Sequence, residues 1–172
     1  MSEVSALIDS HVIEVADFPR PGILFKDLTP LFADGPAFRR VVDALIEAQP
    51  GFDVVAGIEA RGFALAGAIA YATGAAMVVI RKAGKLPRAV LEESYALEYG
   101  EAALAVHADA FAGAGRVLIV DDVLATGGTL GAALSLVRRA GATVTGVAVV
   151  LELVGLGGRR RLDPQPTALL SG

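Results

Sequence analysis

The sequence predicts an α/β fold: a mainly parallel sheet with helices on both faces. Three observations support this. Continuous apolar runs at Asp53–Ile58, Ala75–Arg81, Arg116–Asp121 and Thr143–Leu151 read as strands buried on both sides. Two of the gaps between them, Gly62–Thr73 and Gly128–Ala140, have helical length and pattern. No period of 20–50 residues repeats, and no linker divides the 172 residues, so one domain spanning 1–172 is expected.

The elements follow in order. Val4, Leu7, Ile8 and Val12 share one helical face, with Ser2 placed to cap it. Asp17-Phe-Pro-Arg-Pro-Gly22 breaks that helix. Ile23–Phe32 is apolar apart from Lys26 and Asp27. Pro36 then opens a helix with Phe38, Val41, Val42, Leu45 and Ile46 inward, which Pro50-Gly51 ends. Strand 53–58 and helix 62–73 come next. Gly62–Ile80 holds no charge and imitates a membrane span, but three glycines and the Thr73-Gly74 stop argue against one. After strand 75–81, Lys82–Gly100 reads as a polar, irregular loop of nineteen residues with a strand-like tail. Ala102–His107 is a short strand. Strand 116–121, helix 128–140 and strand 143–151 complete the pattern.

Fifteen basic and nineteen acidic residues leave a net charge of −4, which argues against a nucleic-acid or acidic-membrane surface. The chain has no cysteine, which excludes disulfides, thiolate nucleophiles and zinc–thiolate sites and fits a reducing, cytoplasmic compartment. The N-terminal residues do not read as a signal peptide. His11 and His107 have no companions at ligand or triad spacing.

In an open parallel sheet, ligands gather beyond the carboxyl ends of the strands. Three loops leave such ends: Glu59-Ala-Arg-Gly62, Lys82 onward, and Asp121–Thr129. The last is the most informative. Val117-Leu-Ile-Val-Asp-Asp-Val-Leu-Ala-Thr-Gly-Gly-Thr129 runs an apolar strand into Asp121 and Asp122 and then into a loop that starts a helix. Ala125, Thr126, Gly127, Gly128 and Thr129 can wrap backbone N–H groups around a phosphate, and the two carboxylates can accept from vicinal hydroxyls. A sugar phosphate satisfies both halves. Taken alone, the stretch also fits an ordinary strand-to-helix turn with a surface acid pair. Its spacing is neither that of a P-loop nor that of a dinucleotide fingerprint.

This stretch resembles the phosphoribosyl-pyrophosphate signature of the type I phosphoribosyltransferases. Four further segments narrow the resemblance to the adenine-specific family: Phe18-Pro-Arg-Pro-Gly-Ile-Leu-Phe-Lys-Asp-Leu-Thr-Pro30, Gly57-Ile-Glu-Ala-Arg-Gly-Phe63, Arg81-Lys-Ala-Gly-Lys-Leu-Pro87 and Ser94-Tyr-Ala-Leu-Glu-Tyr-Gly100. The resemblance runs colinearly from about residue 10 to 160. Arg159-Arg-Arg161 and Pro164–Gly172 are less like the family.

The resemblance implies a phosphoribosyltransferase core with a small hood, from residues 18–35 and the C-terminal segment, and a flexible loop. It implies purine salvage: phosphoribosyl pyrophosphate plus adenine gives AMP and pyrophosphate. Arg61, Glu59, Ala60, Arg81, Lys82 and Lys85 would meet the pyrophosphate, with a cis non-proline peptide near Glu59-Ala60. Glu98 would handle the purine proton beside Tyr99. Phe25, the backbone at Lys26, and Leu153 would hold adenine. Mg²⁺ would enter with the pyrophosphate through water, with no metal site made by the protein alone, and the enzyme would be a homodimer. A lysine that reads a 6-oxo purine in related enzymes is absent from Leu151-Glu-Leu-Val154, which favours adenine. Two other readings share the ligand loop: a non-catalytic regulator that binds phosphoribosyl pyrophosphate, and a transferase for another base.

Overall fold

The computed structural model describes residues 2–96, 101–113 and 115–172. Helix α1 (Glu3–Asp9) begins at Ser2, whose side chain accepts from the Ser5 N–H, so the anticipated cap is present. The helix ends earlier than the apolar spacing suggests. Val12 leads into strand β1 (Ile13–Ala16), which pairs antiparallel with β2 (Leu24–Asp27). This hairpin forms a separate two-stranded sheet. Val12 fits a helical period and Ile13 and Val15 a strand period, which is why β1 is hidden in the sequence.

Helices α2 (Thr29–Ala33) and α3 (Gly35–Glu47) follow, the second capped by Asp34 through the Ala37 N–H. The main sheet then builds. Strands β3 (Val54–Ile58), β4 (Ala76–Lys82), β7 (Arg116–Leu124), β8 (Thr143–Glu152) and β9 (Thr167–Ser171) are mutually parallel. Strands β5 (Val90–Ala96) and β6 (Glu101–His107) form an antiparallel hairpin on the β4 edge. The order is β5-β6-β4-β3-β7-β8-β9.

Two expectations change here. Lys82–Gly100 is not one long loop: residues 83–89 connect β4 to β5, and Val90–Ala96 is a strand. Leu91, Glu93 and Tyr95 alternate with the more exposed Glu92, Ser94 and Ala96, a strand period disguised by its polar residues. The C-terminal segment, for which the sequence suggested no element, adds β9 (Thr167–Ser171) to the sheet edge.

Alternation along the central strands creates two cores. Val54, Ala56, Ile58, Val117, Ile119, Val147 and Val149 face helix α5 (Gly128–Arg139) and its Leu130, Leu134 and Val137. Val55, Leu118, Val120, Ala148 and Val150 face α1–α3 and helix α4 (Gly62–Thr73), meeting Ile8, Leu45, Leu65 and Ile69. Helix α4 stops at Gly74, whose φ of 74° is the left-handed conformation that glycine adopts without strain. The uncharged stretch that imitates a membrane span is therefore a helix, a turn and β4. Among the described residues, no helix is long and apolar enough to cross a membrane.

Candidate active site

Strands β3, β4 and β7 are neighbours, so the loops leaving their carboxyl ends meet at one crevice. Strand β3 ends at Ile58, and Glu59 and Ala60 follow it, joined by a cis non-proline peptide at the anticipated position. Arg61 then opens α4. Gly62 follows because α4 lies directly on β7: a Cβ there would stand 2.7 Å from the Val120 carbonyl oxygen and 3.2 Å from Asp121 Oδ1. Gly57 is equally confined, a Cβ there falling 2.7 Å from the Gly62 carbonyl oxygen. The start of α4 can approach the acids of β7 only because both positions are glycine.

The two acids differ. Asp121 Oδ1 accepts from the Asp122 N–H at 2.9 Å. Burial, and then the charge of Asp122 beside it, push the Asp121 carboxyl well above the usual aspartate value. Asp122 is also buried, and its Oδ2 lies 2.9 Å from Arg61 Nη1. The pair is close but not aligned as a hydrogen bond, since neither atom has a hydrogen-bond partner. Arg61 also lies over the Phe25 ring, with its guanidinium carbon 5.4 Å from the ring centroid. One arginine thus touches both an acid of β7 and the face of the Phe25 ring.

Glu59 organises the second loop. Its carboxylate accepts from Arg81 Nε at 3.2 Å and from the Lys82 N–H at 3.0 Å. The bond from the Lys82 backbone, then the one from Arg81, hold the Glu59 carboxyl below its ordinary value. Arg81 Nη1 also donates to the Lys85 carbonyl oxygen, tying that turn down at 3.1 Å. Lys82 and Lys85 are exposed at the rim. Arg88, in the same basic run, turns away to Asp109.

The third loop is the nest. Gly127 has a φ of 85°, and α5 begins there without a side-chain cap. Helix α4 also lacks one at Arg61, whereas α1 and α3 are capped by Ser2 and Asp34. Two helix starts with no side-chain cap therefore face the same crevice. Ala125, Thr126, Gly127 and Thr129, with Val123, Leu124 and Leu130, enclose a niche of about 50 Å³. Beside it lies a larger cleft of about 390 Å³, which Phe25, Lys26, Arg61, Ala125, Thr126 and Leu153 all line.

Contacts or shared lining thus join Glu59 with Arg81, Arg61 with Asp122 and Phe25, and Lys26, Ala125, Thr126 and Leu153 around one cleft; the Lys82 and Lys85 side chains stand exposed, and Glu98 and Tyr99 lie outside the described residues. Several lining groups were not anticipated: Pro19, Arg20, Ile23, Leu24, Val123 and Leu156. Leu24 and Leu156 stay half exposed at 50% and 46%. Their signal is faint, because apolar residues beside a loop read as core. Asp27, which pairs with Thr29 through backbone and hydroxyl, is held below its usual value by those bonds and in small part by Arg61.

Among the described residues, no group of three or more His, Cys, Asp or Glu side chains is arranged to hold a metal ion.

Comparison with known proteins gives concordant results. Residues 33–166 match the phosphoribosyl transferase domain family. An adenine phosphoribosyltransferase of Salinispora tropica is 59% identical over 98% of this chain and 90% of that one. The crystal structure of adenine phosphoribosyltransferase from Rhodothermus marinus superposes with a TM-score of 0.90 at 44% identity, covering 98% of both chains. That from Saccharomyces cerevisiae, complexed with an imino-altritol bisphosphate and adenine, gives a TM-score of 0.92 at 35% identity, covering 99% of this chain and 100% of that one.

Proposed function

The chain belongs to the adenine phosphoribosyltransferase family of phosphoribosyl transferase domains, and from that premise we propose how its crevice makes AMP and pyrophosphate from adenine and phosphoribosyl pyrophosphate. The observation that carries this reading is the junction of two subsites. A helix start without a side-chain cap, at Gly127–Gly128, adjoins an apolar slot between Phe25 and Leu153. A phosphate fits the first and a purine the second, and the ribose between them reaches the acids of β7.

In this reading the amides of Ala125–Thr129 and the hydroxyls of Thr126 and Thr129 grip the 5′-phosphate. Asp122, with Asp121 behind it, accepts from the ribose hydroxyls. Arg61, Arg81, Lys82 and Lys85, with the Glu59-Ala60 turn, take the pyrophosphate. Adenine lies between Phe25 and Leu153, read by backbone groups beside Phe25 and Lys26. As the bond from C1′ to pyrophosphate breaks, the ribosyl carbon becomes oxocarbenium-like and the adenine nitrogen attacks it. Arginine charge on the departing oxygens offsets the growing negative charge. By the resemblance, Glu98 would take the purine proton, with Tyr99 its neighbour in the chain.

A hydrated Mg²⁺ arriving with the pyrophosphate would be met, through water, by the carboxylate of Asp122. When bound, that ion neutralises part of the leaving-group charge. A homodimer belongs to the same reading and rests on the family resemblance. A cytoplasmic location belongs to the same reading, with the absence of cysteine as its support.

The test is pyrophosphate release with phosphoribosyl pyrophosphate, Mg²⁺ and one base at a time. Adenine alone should give rapid release and AMP. Release with guanine, hypoxanthine, uracil or orotate in place of adenine would assign a different transferase. Binding without release for every base would make the chain a sensor.

A further inference from the structure

Next to the phosphate niche lies an ion pair, Glu152–Arg159, whose side chains line neither the niche nor the cleft and are not used by the chemistry above. Glu152 ends β8 and is paired in register with Leu124, the last residue of β7 before the niche. Its carboxylate is only 5% exposed. Both oxygens accept from Arg159 Nε at 3.0 Å, and one also accepts from Arg159 Nη2. The remaining nitrogen, Nη1, donates to the carbonyl oxygen of Pro166, which leads into β9. All three nitrogens of this guanidinium are thus engaged, fixing Arg159 in both position and rotation.

The residue before Arg159 explains why this matters. Gly158 packs against the back of the niche. A Cβ on Gly158 would fall 2.2 Å from the Ala125 carbonyl oxygen and 2.7 Å from the Gly127 nitrogen. In the opposite direction, a Cβ on Gly127 would fall 2.6 Å from the Gly158 carbonyl oxygen. The two backbones are in contact with no side chain between them. On the other side of Glu152 sits Leu153, which lines the base slot and whose N–H donates to the Leu124 carbonyl oxygen.

We infer that Glu152 and Arg159 are positioning residues that set the phosphate nest and the base wall relative to each other. The pair holds the Gly158 backbone against Ala125–Gly127 and, through the neighbouring residue, holds Leu153 opposite Phe25. Removing it allows the Gly158 segment to draw back, so the nest loosens and the base wall shifts with it. This rests on the reading that the Ala125–Thr129 nest binds the 5′-phosphate.

The probes are ribose 5-phosphate, which needs only the nest, and AMP, which needs both halves, titrated by calorimetry into the full chain. Arg159→Met and Glu152→Gln should each weaken ribose 5-phosphate by about tenfold or more, because a displacement near 1 Å can cost on the order of 10²-fold. AMP should weaken at least as much, and KM for phosphoribosyl pyrophosphate should rise. Arg159→Lys retains the charge but not the fork, and should fall between wild type and Arg159→Met. Gly158→Ala reaches the same contact from the other side and should lose ribose 5-phosphate affinity even if the charge variants fold poorly.

Folded Arg159→Met that melts earlier but binds both probes as tightly as wild type would overturn the inference. So would Gly158→Ala with unchanged affinity. If wild type itself fails to bind ribose 5-phosphate, it is the assignment of the nest that fails.

Discussion

Truncation of Phe25 to alanine separates base recognition from phosphate recognition. The ring is half buried. In the free protein it meets Phe18 edge-on, with centroids 5.1 Å apart and planes at 73°, and it carries the Arg61 guanidinium at 5.4 Å. An edge contact contributes about 0.5–1.5 kcal/mol and an exposed cation–π contact about 0.5–1 kcal/mol. Phe25→Ala should therefore destabilise the chain by about 1–2.5 kcal/mol, a fall of roughly 2–10 °C in Tm for a domain of this size. The larger effect is on the base. Stacking contributes about 1–3 kcal/mol per base, and each 1.36 kcal/mol is tenfold, so KM for adenine should rise about 5- to 150-fold. Ribose 5-phosphate, which never reaches the ring, should bind as before. Initial rates with adenine varied at saturating phosphoribosyl pyrophosphate, with calorimetry for ribose 5-phosphate, give both numbers. An adenine KM within twofold of wild type, or an equal loss of ribose 5-phosphate affinity, would refute the placement of the base on Phe25.

Three further outcomes are expected. Asp122→Ala should abolish transfer while circular dichroism shows an intact fold, and near-normal turnover would remove the ribose role. Asp121→Asn should flatten the stability profile. The folded wild type keeps a proton on Asp121 that the unfolded chain has released, so its stability falls as pH climbs from the ordinary value of 3.8 through the raised one. The asparagine chain, with nothing to ionise there, should match wild type near the acid end of that window and exceed it in denaturant midpoint at neutral pH. Glu98→Gln should slow turnover by about 10²-fold if proton transfer limits the rate, and an unaltered pH–rate profile would count against that role.

Much of the frame was legible because burial on both faces leaves an unmistakable trace. Val54–Ile58, Val117–Val120 and Val147–Leu151 are apolar without interruption, and each is a central strand. Legibility failed at the margins, where one face meets water. Strand β5 carries Glu92, Glu93 and Ser94 and resembles a loop until its partner β6 is known. Strand β1 is exposed throughout, so no burial pattern marked it. The turn at Gly127 was readable because two glycines after an apolar strand mark the start of a helix, and α5 begins at Gly128. The Arg61–Asp122 contact was not readable, because the two residues are far apart in sequence and only the packing of α4 on β7 joins them. The same is true of Glu59 and Arg81, and of Gly158 behind Gly127.

The helices that follow β3 and β7 leave adjacent strands for opposite faces of the sheet. At such a switch point the two chains part above the strand tips, and the gap between them is a product of winding rather than of any one side chain. The opening is therefore inherited by any sequence that keeps this strand order. What hangs over it, here the β1–β2 hairpin with Phe25, can vary without altering the gap itself.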